Sequence, residues 1–188
     1  MNKRYFLAII TIAILVLLVV LPASAKSDKA VYEYYEVYCT YTPGVSWWEG
    51  QVYHLRDSIM EGVRIPLDEK DPVKKGTLRI EINQNLNVLT GEGTGSGKFT
   101  LDLQDTSGSI RGTWHGKFIP VSPELWIFDP DIPGRTVGHG TDDLAGLKFM
   151  TTFNHLLPDE IPEEYRAECS DGIPFLGAHG WETVNKDN

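Results

Sequence analysis

The sequence predicts an all-β chain: an eight-stranded antiparallel β-barrel behind an N-terminal signal helix. Three observations carry this. Beyond the first thirty or so residues, apolar and polar side chains alternate with a period of two, as in strands with one buried face. Turn residues part these runs at short intervals, and almost no stretch has helical periodicity. Glycine recurs inside the strand-like runs, where it marks bends or close backbone approach, and a closing barrel needs such corners. A parallel sheet would read as continuous apolar runs instead, and a sandwich is the competing architecture.

Residues 1–25 read as a signal peptide and 26–188 as a single domain. Lys3 and Arg4 supply the positive start, and Tyr5 to Leu21 is an apolar run broken only by Thr11. Ala23-Ser24-Ala25 then offers a small-residue cleavage site. The expected location is outside the cell or on the envelope exterior, and an uncleaved N-terminal membrane anchor is the rival reading. Cleavage removes two positive charges and takes the formal charge from -9 to -11. So acidic a surface repels phosphate backbones, which argues against nucleic-acid binding. In an exported chain the only two cysteines, Cys39 and Cys169, are expected to form a disulfide.

Val31 to Thr42 is rich in Tyr and Val and reads as a strand ended by Pro43-Gly44. Gln51 to Ile65 follows, with Tyr53, Leu55, Ile59, Val63 and Ile65 on one face. Pro66 to Gly76, with two prolines and six charges, is a loop. Thr77 to Thr90 places Leu78, Ile80, Ile82, Leu86 and Val88 on one face, and Gly91 to Gly97 reads as a glycine-rich turn. Phe99, Leu101 and Leu103 alternate up to the turn at Asp105-Gly108, and Ile110, Trp114 and Phe118 return with Gly112 and Gly116 between them. Pro120 to Gly134, with four prolines, reads as irregular. Thr136 to Gly140 and Leu144 to His155 form the last clear hairpin, and a helical turn or two is expected around Pro162-Arg166. Ile173 to Leu176 is expected to close the sheet, with Trp181 plugging an end.

The glycine-bracketed hairpin Gly138-His139-Gly140-Thr141-Asp142-Asp143-Leu144-Ala145-Gly146-Leu147-Lys148-Phe149, with Gly91 to Phe99 and Ser107 to Phe118 upstream, resembles small barrels related to allene oxide cyclase and dirigent proteins. The resemblance covers Trp48 to Phe153 and departs from the family pattern at Phe149, where a glycine is expected after Lys148. It implies a calycin-like antiparallel barrel, often oligomeric, with a central apolar cavity. Cyclase members shape a reactive fatty-acid intermediate, and dirigent members guide phenol coupling. No catalytic residue of theirs maps onto this chain.

Candidate chemistry is sparse. Asp57 and Glu61 fall on the apolar face of their strand, so inside a barrel they would be costly carboxylates of raised pKa, suited to acid-base work. A register break at Asp57-Ser58 would turn both to solvent instead, and that is the preferred expectation. Tyr53, Leu55, Phe99 and Trp114 are the expected ligand-binding residues. Asp129 and Asp131 open a calcium-loop pattern that Pro133 breaks, and a proline-stiffened acidic loop is the simpler reading. The five histidines show no metal spacing and are expected at surfaces or turns. Gly91 to Lys98 lacks the spacing of a phosphate loop. No cofactor is expected. Three functions follow in order: a barrel that binds a small apolar or phenolic molecule without turnover, an isomerase or cyclase using the same cavity, and a structural envelope component. A homo-oligomer fits any of them.

Overall fold

The computed structural model describes residues 30–120 and 126–186. The predicted signal segment lies outside the described residues. Among the described residues no helix is long and apolar enough to cross a membrane.

The strands are β1 (Val31–Thr42), β2 (Val45–Glu49), β3 (Val52–Pro66), β4 (Gly76–Asn87), β5 (Glu92–Leu103), β6 (Ser109–Pro120), β7 (Trp126–Phe128), β8 (Gly134–Gly140), β9 (Leu147–Leu156) and β10 (Leu176–Lys186). They form one sheet in the order β1-β10-β9-β8-β6-β5-β4-β3-β2, with β7 also on β6. All pairings are antiparallel, and β1 pairs with β3 from Tyr34↔Pro66 to Thr42↔Ile59, which closes the sheet on itself. The ring has eight positions, because two are each filled by two segments. β1 and β2 lie along successive parts of β3, parted at Pro43-Gly44. β7 and β8 share β6 in the same way. The fold is thus the expected eight-stranded antiparallel barrel.

Three details differ from expectation. The proline-rich stretch before Gly134 contains β7 rather than being wholly irregular. Gly93, Gly95 and Gly97 lie within β5 instead of a turn. The closing strand is Leu176–Lys186, well beyond Ile173 to Leu176. Along it Leu176, Ala178 and Glu182 are buried, so alternation sends Trp181 outward beside His179 rather than into an end.

Glycine in β5 makes room for aromatic rings. The β4–β5 ladder is interrupted between Ile80↔Phe99 and Asn83↔Ser96. In that gap the Trp114 indole N–H donates to the Glu81 carbonyl at 2.8 Å. A Cβ on Gly97 would lie 1.8 Å from that carbonyl oxygen and 2.8 Å from the indole nitrogen, so no other residue fits beneath the ring.

The two barrel ends are built differently. At one, the loop between β3 and β4 folds inward and buries Asp71 and Val73 completely. There Arg64 donates to Asp71 Oδ2 at 2.9 Å and to the Val73 carbonyl at 2.5 Å, and pairs with Glu182 at 2.6 Å. The Tyr34 ring lies 4.8 Å from its guanidinium. The other end is open. On the outer wall, a segment carrying the short helix α1 (Glu163–Arg166) lies against β1, where Val37, Ile161 and Cys169 form a second small core. The Cys39–Cys169 disulfide fastens it there.

Candidate functional site

The open end leads into a cavity of about 510 Å³, within the usual range for small-molecule sites. An eight-position barrel is just wide enough for one small ligand. The inward faces of β3, β4 and β6 supply Tyr53, Leu55, Met60, Ile80, Ile82, Leu86, Trp114 and Phe118. Phe128, Phe153 and Leu176 complete the wall, and Tyr41, Trp48, Val88 and Phe175 form an exposed apolar rim. Apart from the tryptophans, the lining side chains that carry a nitrogen or oxygen are Tyr38, Tyr41, Tyr53, Gln84 and His155.

His155 Nδ1 accepts the Phe128 backbone N–H at 3.3 Å, which places the ring proton on Nε2. The ring is half-buried among Phe118, Phe128 and Phe153, and burial pushes its pKa down to about 3. It is a neutral donor at ordinary pH.

Tyr38 links the cavity to a buried acid. Its hydroxyl donates to Glu36 Oε2 in a short hydrogen bond. Glu36 faces a small inner void together with Phe99, Phe149 and Thr136. Burial raises its pKa to about 7, against the opposing pull of the Tyr38 hydrogen bond and the Arg64 charge. A carboxyl whose folded pKa lies above its unfolded value contributes most below the unfolded value and loses that contribution as pH rises. Wild type should therefore lose stability relative to Glu36→Gln as pH rises from about 4.5 to about 7. The accumulated difference is up to about 3 kcal/mol. Urea titrations of both proteins across this range check it, and a difference independent of pH would contradict it. His155 works in the opposite sense between about 6.5 and 3, which is why the comparison with the variant is needed.

The expected site residues divide. Tyr53, Leu55 and Trp114 line the cavity. Phe99 does not; it is buried deeper, on the inner void, 5.9 Å from the Phe149 ring. Asp57 and Glu61 are both exposed on the outside. β3 bulges between Leu55 and Ser58, with Asp57 at φ 59°, and this resets the alternation so that Ser58, Met60 and Arg64 point inward. Glu61 instead pairs with Arg79. Asp131 donates its N–H to Asp129 Oδ1 at 3.0 Å, so these two form a local turn. Among the described residues no group of three or more His, Cys, Asp or Glu could hold a metal ion.

The sequence reading missed Tyr38, Glu36 and His155. Glu36 had a signal: it shares a face with Tyr34 and Tyr38 in a strand otherwise suited to burial. His155 had none, because its enclosure depends on Phe118, Phe128 and Phe153 meeting around it. Compared with known protein families, with characterised proteins and with solved structures, the chain matches none.

Proposed function

We propose that this protein is an exported barrel that holds one small apolar or aromatic molecule in its open end, without turnover. The observation that carries the reading is the unfilled cavity, apolar on nearly all sides, with a rim that leaves Trp48 59% exposed at the mouth. A guest with one polar end fits it best, since the neutral His155 offers a donor while the Tyr38 oxygen and Gln84 amide offer acceptors. The disulfide supports export. The closed barrel and apolar mouth support a relation to the allene oxide cyclase and dirigent barrels, and oligomerisation would follow from that relation.

N-phenyl-1-naphthylamine, a neutral apolar fluorophore, is expected to bind at one site and to quench tryptophan emission. Gln84→Trp, which fills the cavity from a half-buried wall position, should weaken binding at least about tenfold. Absence of binding, or equal binding by the filled variant, would refute the proposal.

An isomerase or cyclase using the same cavity is the second reading. The Glu36–Tyr38 pair favours it, because it brings a group that titrates near neutrality to the cavity wall through a hydrogen bond. The structural envelope reading ranks below both, since a building block needs no open interior.

A further inference from the structure

The outer surface of β3–β6 carries a second cleft, of about 650 Å³, walled on one side by Ile132 and Pro133. Its charge runs against the rest of the molecule. The chain has 26 acidic and 17 basic residues, yet Arg56, Lys117, Arg135 and His115 line this cleft and no carboxylate does. None of those four takes part in an ion pair among the described residues. Arg56 is held in place by neutral acceptors only, the carbonyls of Leu55 and Gln84 at 2.7 Å each and Asn85 Oδ1 at 2.7 Å, so its charge is uncompensated. Its guanidinium also lies 5.4 Å from the ring of Trp47, which is 43% exposed.

The register arranges the polar lining as two parallel rungs across the sheet. One runs Asn85↔Thr94↔Lys117. The other runs Asn83↔Ser96↔His115↔Arg135. Neighbouring strands are about 4.8 Å apart, so the longer rung spans roughly 14 Å, and the rungs lie about 7 Å apart along the strands. Amides and hydroxyls thus occupy the middle of the cleft and cations its edge. Asn85 Oδ1 is taken by Arg56 and by His54 at 2.7 Å, which leaves the amide N–H groups of Asn85 as its remaining donors. At one corner the Asn83 side chain bonds to the Asp57 backbone N–H at 3.1 Å and to Glu81 at 3.2 Å; at the other, Asp129 and Asp131 precede Ile132, and the Asp129 N–H donates to the Lys117 carbonyl at 3.0 Å.

We infer that this cleft is a binding site for an anionic oligosaccharide, a short glycan bearing carboxylate or sulfate groups. Its hydroxyls would pair with the Asn, Thr and Ser rungs, and its anionic groups would meet Lys117 and Arg135. A row of neutral hydrogen-bonding side chains serves hydroxyls, which an inorganic anion lacks. A nucleic acid would extend beyond the cleft over a net-acidic surface that repels it. The site is separate from the barrel cavity and stands whether or not that cavity binds a guest.

The test is calorimetric titration of the whole exported protein with a heparin-derived tetrasaccharide at low salt. Parallel titrations use a neutral tetrasaccharide, inorganic sulfate and a single-stranded oligonucleotide. Binding of the sulfated tetrasaccharide alone is expected, weakening as salt rises. Lys117→Gln/Arg135→Gln should reduce its affinity at least about tenfold, through the loss of two charge-assisted contacts. Thr94→Val/Ser96→Ala, which leaves every charge in place, should weaken it by a smaller factor. All these positions are exposed, and an unchanged melting temperature shows that the variants are folded. Failure of the tetrasaccharide to bind would overturn the inference. So would equal binding of sulfate or of the oligonucleotide, or affinity unmoved in the charge variant.

Discussion

Replacing both Cys39 and Cys169 with alanine should lower the stability of this protein by about 4–5 kcal/mol. The bridge joins positions 130 residues apart, which encloses most of the barrel domain in one loop. In the chain-entropy model, opening a loop that long returns about 5 kcal/mol of conformational freedom to the unfolded state. A second contribution is local. The bridge holds the α1 segment against Val37, where only Ile161, Cys169 and a few partly buried neighbours form the contact. Without it that small core stands on its own, and the segment should open before the barrel does. For a domain of this size the melting temperature should fall by roughly 10–20 °C. Calorimetry of the alanine pair and of the reduced wild type should agree. A fall of less than about 3 °C in both would show that the bridge adds little.

Arg64→Leu should cost about 3–5 kcal/mol, for a different reason. The guanidinium is fully buried and holds together the closed end of the barrel. Burial pushes the Glu182 pKa up to about 9, and Asp71 raises it further while Arg64 opposes both. Near neutral pH Glu182 therefore stays protonated beside the Arg64 cation. Removing the cation leaves the fully buried Asp71 without its partner and the Val73 carbonyl short of a donor. The loop that closes the barrel end would lose its attachment. Urea unfolding measures the loss. The triple variant Arg64→Leu/Asp71→Leu/Glu182→Leu should recover much of it, because replacing a whole buried charge cluster by apolar side chains is often neutral or better. A triple variant no more stable than the single one would mean that packing, not charge, sets the stability of this end.

Much of the fold was legible because strand alternation is local. Leu78, Ile80, Ile82 and Leu86 fall on one face in the sequence and are buried together in the barrel. Ile110, Trp114 and Phe118 behave the same way, with glycines between them wherever a ring must lie across the neighbouring strand. The disulfide was legible from the cysteine count together with the expected compartment. The candidate sites were not. Asp57 and Glu61 share the face of Tyr53 and Leu55 by counting, and a one-residue bulge turns them outward. Phe99 reads like a cavity residue but lies one layer too deep. Arg64 and Glu182 are 118 positions apart, by their own numbering, and become partners only when the ring closes.

By itself the sequence determined which residues alternate in most strands, most of the turns and that the sheet curls, because each depends on neighbours a few positions away. The tertiary structure alone decided which face became the inside at each point, what remained unfilled within, and which cations gathered on the outer wall. Those depend on strand register and on a single bulge, and a shift of one residue in either reverses the side every following side chain occupies.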